Sequence, residues 1–335
     1  MDAVSSTRLS SPWPLQGGAR ATLEASMAAQ QRHESAVLAV VVDTEGSTYV
    51  RAGALALFGG GDGQVGWLSG GCLEPEIERH ALQAAQHAQL RWLDIDTRDD
   101  EDLLSGSAVG CRGRLHLALL PLRCLPGWET LVTQWRCGAA ALQLTIDRSG
   151  EVLGEVAEDR QRWSLTSSPS AGDSRAARWQ IAIAPPPAVL VLGAGPETPM
   201  LLPLLRGLGW MTTLVERRPR WKALAMMADT AVEHAPAAAM AELHAARFDA
   251  ALVMHHNFEL DREALDALAT QAVAFIGLLG PVRRREDLFR VLPAQVREAL
   301  SPRLRSPVGL DLGGHGPEAI ALSIAAQLHQ YRHPA

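Results

Sequence analysis

The sequence predicts an α/β protein in two parts: an N-terminal α+β region followed by a doubly wound parallel sheet. Three observations carry that prediction. From Ala188 onward, short apolar strand patterns alternate with helical ones, the order that a parallel sheet with crossover helices requires. The first of these strands, Ala188-Val189-Leu190-Val191-Leu192, ends on Gly193-Ala194-Gly195 and opens a helix, the setting of a Rossmann-like turn. Just before it stands Pro185-Pro186-Pro187, a stiff spacer at which the patterns restart. The expected division is a disordered tail over 1–18, an α+β domain over 19–184 and the Rossmann-like domain over 185–335.

In the first part, an Ala-rich helix is expected over 19–31, then an apolar strand over 36–42. Asp43-Thr44-Glu45-Gly46-Ser47-Thr48 reads as a polar loop, 54–58 as a second strand, and Gly59-Gly60-Gly61-Asp62-Gly63 as a hairpin turn. A third strand, 64–68, runs into Ser69-Gly70-Gly71-Cys72-Leu73-Glu74. The apolar positions Ile77, Ala81, Ala84, Ala85 and Ala88 then keep helical spacing, with Pro75 suited to a first turn. Further strands are expected over 90–95, 114–120, 139–146 and 179–183, with a surface loop over 164–173. In the second part, strands are expected at 188–192, 212–215, 250–254 and 272–276. Helices fit 199–207, 220–227, 262–271, 283–292 and 317–329.

Apolar residues at 47% and charged residues at 20% describe a globular protein able to bury two cores. A formal charge of −6 argues against a nucleic-acid partner, and no apolar run is long enough to cross a membrane. The N-terminus lacks the apolar core of a secretory signal, so a cytoplasmic location is expected. The cysteines, Cys72, Cys111, Cys124 and Cys137, form no C-x-x-C pair, so neither a structural zinc site nor a disulfide framework is expected.

The most informative stretch is Ser69 to Glu74. Two glycines let backbone amides turn toward one point, and a helix behind them adds its positive end, a geometry that receives an anion. A cysteine at such a helix start favours the thiolate, the form that binds metals. In the second part, Glu216 ends the next strand about 20 residues after the glycine turn, where an acid meets a ribose hydroxyl in dinucleotide-binding folds. Thr198 takes the third glycine position, and Pro196 and Pro199 remove amides, so NAD(P) binding is expected to be weak. Three more loops fall at carboxyl ends of strands: His255-His256-Asn257, Gly277 to Pro281, and Pro307 to Asp311 with Gly313-Gly314-His315 beyond it.

These segments, in this order, resemble the XdhC/CoxI family, accessory proteins of molybdenum hydroxylases such as xanthine dehydrogenase. The resemblance runs through Gly46-Ser47, Arg51, Gly53-Ala54, Ser69-Gly70-Gly71-Cys72 with Glu74, and Gly110-Cys111-Arg112-Gly113. In the second part it runs through Gly193-Ala194-Gly195, Glu216 to Pro219, Met254 to Asp261, Gly277 to Gly280, and Pro307 to Asp311. It implies a non-catalytic protein that binds molybdenum cofactor (molybdopterin), guards it during sulfuration and delivers it to an apo-hydroxylase. A cysteine desulfurase is the implied sulfur donor, and a homo-oligomer the implied state. By the same resemblance, Gly46, Ser47, Arg51, Ser69, Gly70, Gly71, Cys72, Glu74, Cys111, Gly193, Gly195, Glu216, His256 and Asp311 surround the cofactor, with Cys72 and Cys111 at the molybdenum end.

Two alternatives stay open on the residues alone. An NAD(P)-dependent oxidoreductase would use the Rossmann-like half, although no Tyr-x-x-x-Lys is present and Lys222 is the sole lysine. A scaffold that bridges sulfur donor and hydroxylase without holding cofactor would tolerate loss of its cysteines. For the carrier, the His256, Gly277–Gly280 and Asp311 loops are expected to face the Cys72 and Cys111 loops across one cleft.

Overall fold

The computed structural model describes residues 18–98, 112–168, 177–243 and 247–334. The expected N-terminal tail, but for Gly18, and both Gly110 and Cys111 lie outside them.

The first part opens with α1 (Gly18–Gln31), β1 (Ala36–Gly46), β2 (Leu55–Gly59), α2 (Glu74–His87), β3 (Arg91–Asp96) and β4 (Gly113–Pro121). The strands form an antiparallel sheet in the order β2-β1-β4-β3. β1 reads as unbroken apolar sequence because both of its faces are covered. Val37, Ala39 and Val41 pack with Ile77, Ala81 and Ala84 of α2. Leu38, Val40 and Val42 pack with Leu23 and Met27 of α1 on the other face.

Two sequence expectations fail here. Asp43 to Gly46 is strand, not loop: the register shifts between Val41 and Asp43, after which Asp43 pairs His116, Thr44 pairs Leu115 and Glu45 pairs Arg114. The acidic residues that looked like loop residues alternate on a polar sheet face. Residues 64–68 instead make only an isolated bridge, Leu57 with Val65. Gly66, at φ 90°, lies so close to the Leu55 carbonyl that a Cβ there would sit 2.7 Å away, and the pairing stops.

After β4 come α3 (Trp128–Cys137), β5 (Leu142–Asp147), β6 (Glu151–Val156), β7 (Asp159–Ser164) and β8 (Arg178–Ile183). The strands form a second antiparallel sheet, β7-β6-β5-β8. Trp128, Leu131, Val132 and Trp135 of α3 fill the space between this sheet and α1. The indole N–H of Trp128 donates to Ser26 Oγ at 2.9 Å, and that of Trp135 donates to the Ile183 carbonyl at 3.1 Å.

The second part runs β9 (Ala188–Leu192), α4 (Thr198–Gly207), β10 (Met211–Val215), β11 (Thr230–Val232), α5 (Pro236–Glu242), β12 (Ala250–Val253), α6 (Phe258–Ala269), β13 (Phe275–Leu278), α7 (Val282–Val291), α8 (Ala294–Leu300), β14 (Leu304–Arg305) and α9 (Pro317–Arg332). All six strands are parallel, in the order β11-β10-β9-β12-β13-β14, the doubly wound Rossmann arrangement. Strand order reverses between β9 and β12, so the ligand crevice of such a sheet opens at their carboxyl ends. Pro219–Met227 winds as a 3-10 helix rather than the expected α-helix, and it buries none of its residues.

Arg20 of α1 joins the two parts. Its guanidinium donates to the Trp210 carbonyl and to Asp229, which also accepts from the amide and hydroxyl of Thr212. Arg206 adds a bond to Glu24 at 3.1 Å. Trp210, Thr212 and Asp229 precede or begin β10 and β11, so α1 docks on the amino edge of the parallel sheet. Among the described residues, no helix is long and apolar enough to cross a membrane.

Candidate functional site

The loop before α2 is organised around a buried acid. Glu74 is 4% exposed, and one carboxylate oxygen accepts the Leu68 and Ser69 amides at 3.0 and 2.8 Å. Its other oxygen accepts the Ser69 hydroxyl, whose oxygen in turn accepts the Gly71 and Leu73 amides at 3.2 and 3.1 Å. Burial pushes the Glu74 carboxyl up, but the Ser69 hydroxyl and the Ser69 and Leu68 amides outweigh it and hold the group below the ordinary carboxylate value. The loop therefore carries its own anion. Of the expected anion donors, Gly71 is engaged with Ser69. The amides of Gly70 and Cys72 make no hydrogen bond among the described residues, and both residues are exposed.

Cys72 lies at the mouth of a shallow cleft with Ser47, Tyr49, Ser69, Gly70 and Gly113. Its thiol donates toward Ser69 Oγ at 3.7 Å. Tyr49 and Trp67 are large aromatic residues left 60% and 51% exposed, and the Trp67 ring lies 3.9 Å from where a Cβ on Gly71 would stand. Gly46, at φ 69°, lets the end of β1 cross β4: a Cβ there would lie 2.7 Å from the Arg112 carbonyl, which accepts the Ser47 amide. Cys111 falls outside the described residues, but it directly precedes Arg112 in the chain. Arg51 is exposed on the turn before β2 and does not line the cleft.

The glycine turn after β9 is closed by the same means. Gly193 and Gly195 are buried, and the Ala194 amide donates to Glu216 at 2.8 Å, the Gly195 amide to Thr198 Oγ1 at 2.9 Å. Arg218 grips Glu216 and reaches the carbonyls of His255 and Ala194 at 2.7 and 2.8 Å. Burial raises the Glu216 carboxyl, and Arg218 with the turn amides brings it below the ordinary value. Glu216, placed by sequence beside a ribose, instead holds the turn shut. Thr198, which departs from the glycine fingerprint, caps an amide.

His256 stands over this turn in a left-handed conformation, φ 53°, with Nε2 3.1 and 3.2 Å from the oxygens of buried Glu197. The hydrogen bond to Glu197 raises its pKa against partial burial. A Cβ on Gly195 would fall 2.6 Å from both Glu197 Oε1 and His256 Nε2, so a larger residue there would have to displace that pair. His255 is tied to Asp261, which Arg284 grips from the other side. Sequence reading gave no role to Glu197, which lies just beyond the Gly193-Ala194-Gly195 motif, nor to Arg218 and Asp261, which stand inside the Glu216 to Pro219 and Met254 to Asp261 segments.

Asp311 is exposed and lines a cavity of about 320 Å³ with Gly280, Pro281 and His315. His256 is not part of that lining. The expected single cleft does not form within the chain: among the described residues, the Cys72 cleft is lined by the first part alone and the Asp311 cavity by the second. The cause is the Arg20 anchor. It fixes the first part to the amino edge of the parallel sheet, whereas the Gly195, His256 and Asp311 loops leave the carboxyl edge.

Comparison with known proteins agrees over most of the chain. A family model described as the XdhC Rossmann domain matches residues 189–328, and one described as the XdhC and CoxI family matches residues 29–96. A Bacillus subtilis (strain 168) protein, named as a probable xanthine dehydrogenase subunit, is 27% identical over 315 residues, covering 89% of this chain and 94% of that protein. The uncharacterized protein YqeB of Escherichia coli (strain K12) is 38% identical over 104 residues, which are 28% of this chain and 19% of its own length. A crystal structure described as a xanthine dehydrogenase from Bacillus halodurans superposes with a TM-score of 0.73 at 27% identity, covering 94% of this chain and 96% of that one.

Proposed function

The chain belongs to the XdhC/CoxI family, and on that premise we propose that it is an accessory protein that carries molybdenum cofactor to a xanthine dehydrogenase-type hydroxylase. In this reading it holds the cofactor while a cysteine desulfurase supplies sulfur, and then hands it to the apo-enzyme in the cytoplasm. The observation that carries the reading is the Cys72 cleft. It presents an exposed thiol, two amides at Gly70 and Cys72 without partners among the described residues, and the exposed ring of Tyr49, with the exposed Trp67 ring outside its lining beside Gly71.

That set of groups fits a metal already ligated in an organic cofactor. Among the described residues, no three or more His, Cys, Asp or Glu side chains gather to hold a bare ion. A soft thiolate suits the molybdenum–sulfur end, and the Gly70 and Cys72 amides suit a phosphate. Cys111 is the second thiol of the proposal, because its neighbour Arg112 is bonded to Ser47 of the cleft. A homo-oligomer would let the Asp311 and His256 loops of one copy meet the Cys72 cleft of another.

The occupied amides of the second glycine turn support weak NAD(P) binding, since a pyrophosphate would have to displace Glu216 and Thr198 from them. The test is retention and delivery. Protein purified without oxygen is expected to release molybdopterin detectable by mass spectrometry. The substitutions Cys72→Ser and Cys111→Ser are expected to lower retention and activation of an apo-hydroxylase. Cys124, half-buried against the Ala88 carbonyl, and Cys137, at the end of α3, serve as controls. Full delivery by both Cys72→Ser and Cys111→Ser would sink the carrier mechanism.

A further inference from the structure

The outer side of α4 and α9 is apolar where water would meet it. Both helices cover one face of the parallel sheet: Leu201, Leu202 and Leu205 of α4 enter the same core as Ile324 and Leu328 of α9, and the helices pack side by side. Each runs from the carboxyl edge of the sheet to the amino edge. α4 leaves the end of β9 and leads to β10, and α9 ends with the Tyr331 ring 5.0 Å from that of Phe275, the first residue of β13.

A surface helix of a globular protein carries polar and charged groups on its outer side. Here Met200 of α4 and Leu322 of α9 are left 43% and 53% exposed, and Met226 of the 3-10 segment on the same face is 71% exposed. Arg206 is the sole charged residue of α4, and the titratable groups of α9 stand in its first and last turns. Exposed apolar side chains scattered singly are ordinary; three on adjoining elements with no charge between them mark a covered surface.

The charges at the two ends of α9 identify the cover. Glu318 opens the helix, while His329 and Arg332 stand in its last turn and His333 follows it. Glu318 and Arg332 form no ion pair among the described residues. Glu318, Leu322, Ala326, His329 and His333 stand at i, i+4, i+8, i+11 and i+15, one stripe of the helix. The stripe is acidic at one end, apolar in the middle and basic at the other, so it complements its own reverse.

We propose that a second copy of the chain covers this face, its α9 lying antiparallel to the first about a two-fold axis near Ala326. Glu318 of each copy then meets Arg332 and His333 of the other, and the Met200 and Leu322 side chains pack across the axis. One patch serves both copies, as an isologous interface requires, and the end charges fix its register. The same antiparallel packing lays the carboxyl edge of one sheet beside the amino edge of the other. Each first part is held at its own amino edge by Arg20, so the Asp311 loop of one copy approaches the first part of its partner. That juxtaposition is the one the Arg20 anchor denies within a single chain. The inference deepens the carrier reading by naming the surface through which two copies share a site, but the interface itself needs no cofactor.

The test is light scattering on the full chain during gel filtration, without added cofactor. A mass of two chains is expected. Leu322→Glu and, independently, Met200→Glu are expected to give the mass of one chain with the parent's circular dichroism, since both side chains are exposed. Glu318→Arg and Arg332→Glu are each expected to weaken the dimer roughly tenfold, because like charges then face each other, and the double swap is expected to restore it. A monomeric parent, a dimer undisturbed by both glutamate substitutions, or a double swap no tighter than the single changes would each overturn the proposal. Molybdopterin released from a monomeric parent would overturn it and leave the carrier reading standing. A dimer that meets these expectations but releases none would uphold the interface and count against the carrier reading alone.

Discussion

Replacing Glu74 tests the claim that a buried acid organises the Cys72 loop. In Glu74→Ala, the Leu68 and Ser69 amides and the Ser69 hydroxyl lose their acceptor. Hydrogen bonds to a charged group contribute about 1.5–3 kcal/mol each, but the loop is open to water at Gly70 and Gly71, which can re-solvate part of what is freed. A net loss of about 3 kcal/mol is therefore expected. Glu74→Gln keeps an oxygen for the two amides and replaces the other oxygen with an N–H group. Ser69 Oγ already accepts the Gly71 and Leu73 amides, so a third donor must displace one of them. That conflict sets a smaller cost of about 1–1.5 kcal/mol.

The assay is amide hydrogen exchange at Leu68, Ser69, Gly71 and Leu73, because a chain with two cores need not unfold in one step. Exchange is expected to speed roughly a hundredfold in Glu74→Ala and about tenfold in Glu74→Gln, at 1.4 kcal/mol per factor of ten. The pH dependence has a fixed sign. Since the folded Glu74 carboxyl lies below its ordinary value, its stabilisation is complete above the ordinary carboxylate range and is lost as pH falls through the folded value. Equal exchange in the two variants, or protection that improves on acidification, would refute the reasoning.

The remaining predictions concern other anchors. His256, whose pKa is raised by Glu197, stabilises its loop fully below the ordinary histidine value and loses this as pH rises through the raised one; Glu197→Gln is expected to return its ring titration, followed by NMR, toward ordinary. Gly113→Ala would place a Cβ 2.6 Å from the Ser47 carbonyl and 2.8 Å from that of Glu45, both backbone, so a loss of about 2 kcal/mol is expected in thermal melts. Arg20→Ala leaves Asp229 with Arg206 and Thr212 but strips the buried partner, for a loss of about 3 kcal/mol and separation of one melting transition into two.

The parallel sheet was readable because its strands are short apolar runs buried on both faces and its helices keep one period. What the sequence hid depended on pairing at a distance. Asp43-Thr44-Glu45 looks like a loop until β4 supplies Arg114 and His116 opposite it. The alternation was there to see, as Asp43-x-Glu45, Asp94-x-Asp96 and Arg114-x-His116, three polar strand faces with complementary charge. The helix Trp128–Cys137 was not among the expected elements, although Trp128, Leu131, Val132 and Trp135 form an i, i+3, i+4, i+7 set that marks it. β7 left no such pattern, since Trp163 is its single buried residue and the rest of that edge strand is polar.

The two glycine motifs were located correctly, yet their chemistry required the third dimension. Glycine followed by a helix start is read as an opening for an external anion, but in each half a buried glutamate from the same chain takes up turn amides. Glu74 does so five or six residues beyond its donors, and Glu216 does so from the next strand. A turn satisfied in this way is rigid without ligand, and what it offers outward is whatever the glutamate leaves over. In the first half that remainder is the thiol and amide of Cys72 with the Gly70 amide; in the second it is the half-exposed ring of His256 held by Glu197. A carrier that must both grip and release its cargo is better served by a few groups on a preorganised loop than by a full phosphate cradle, because each further contact slows release.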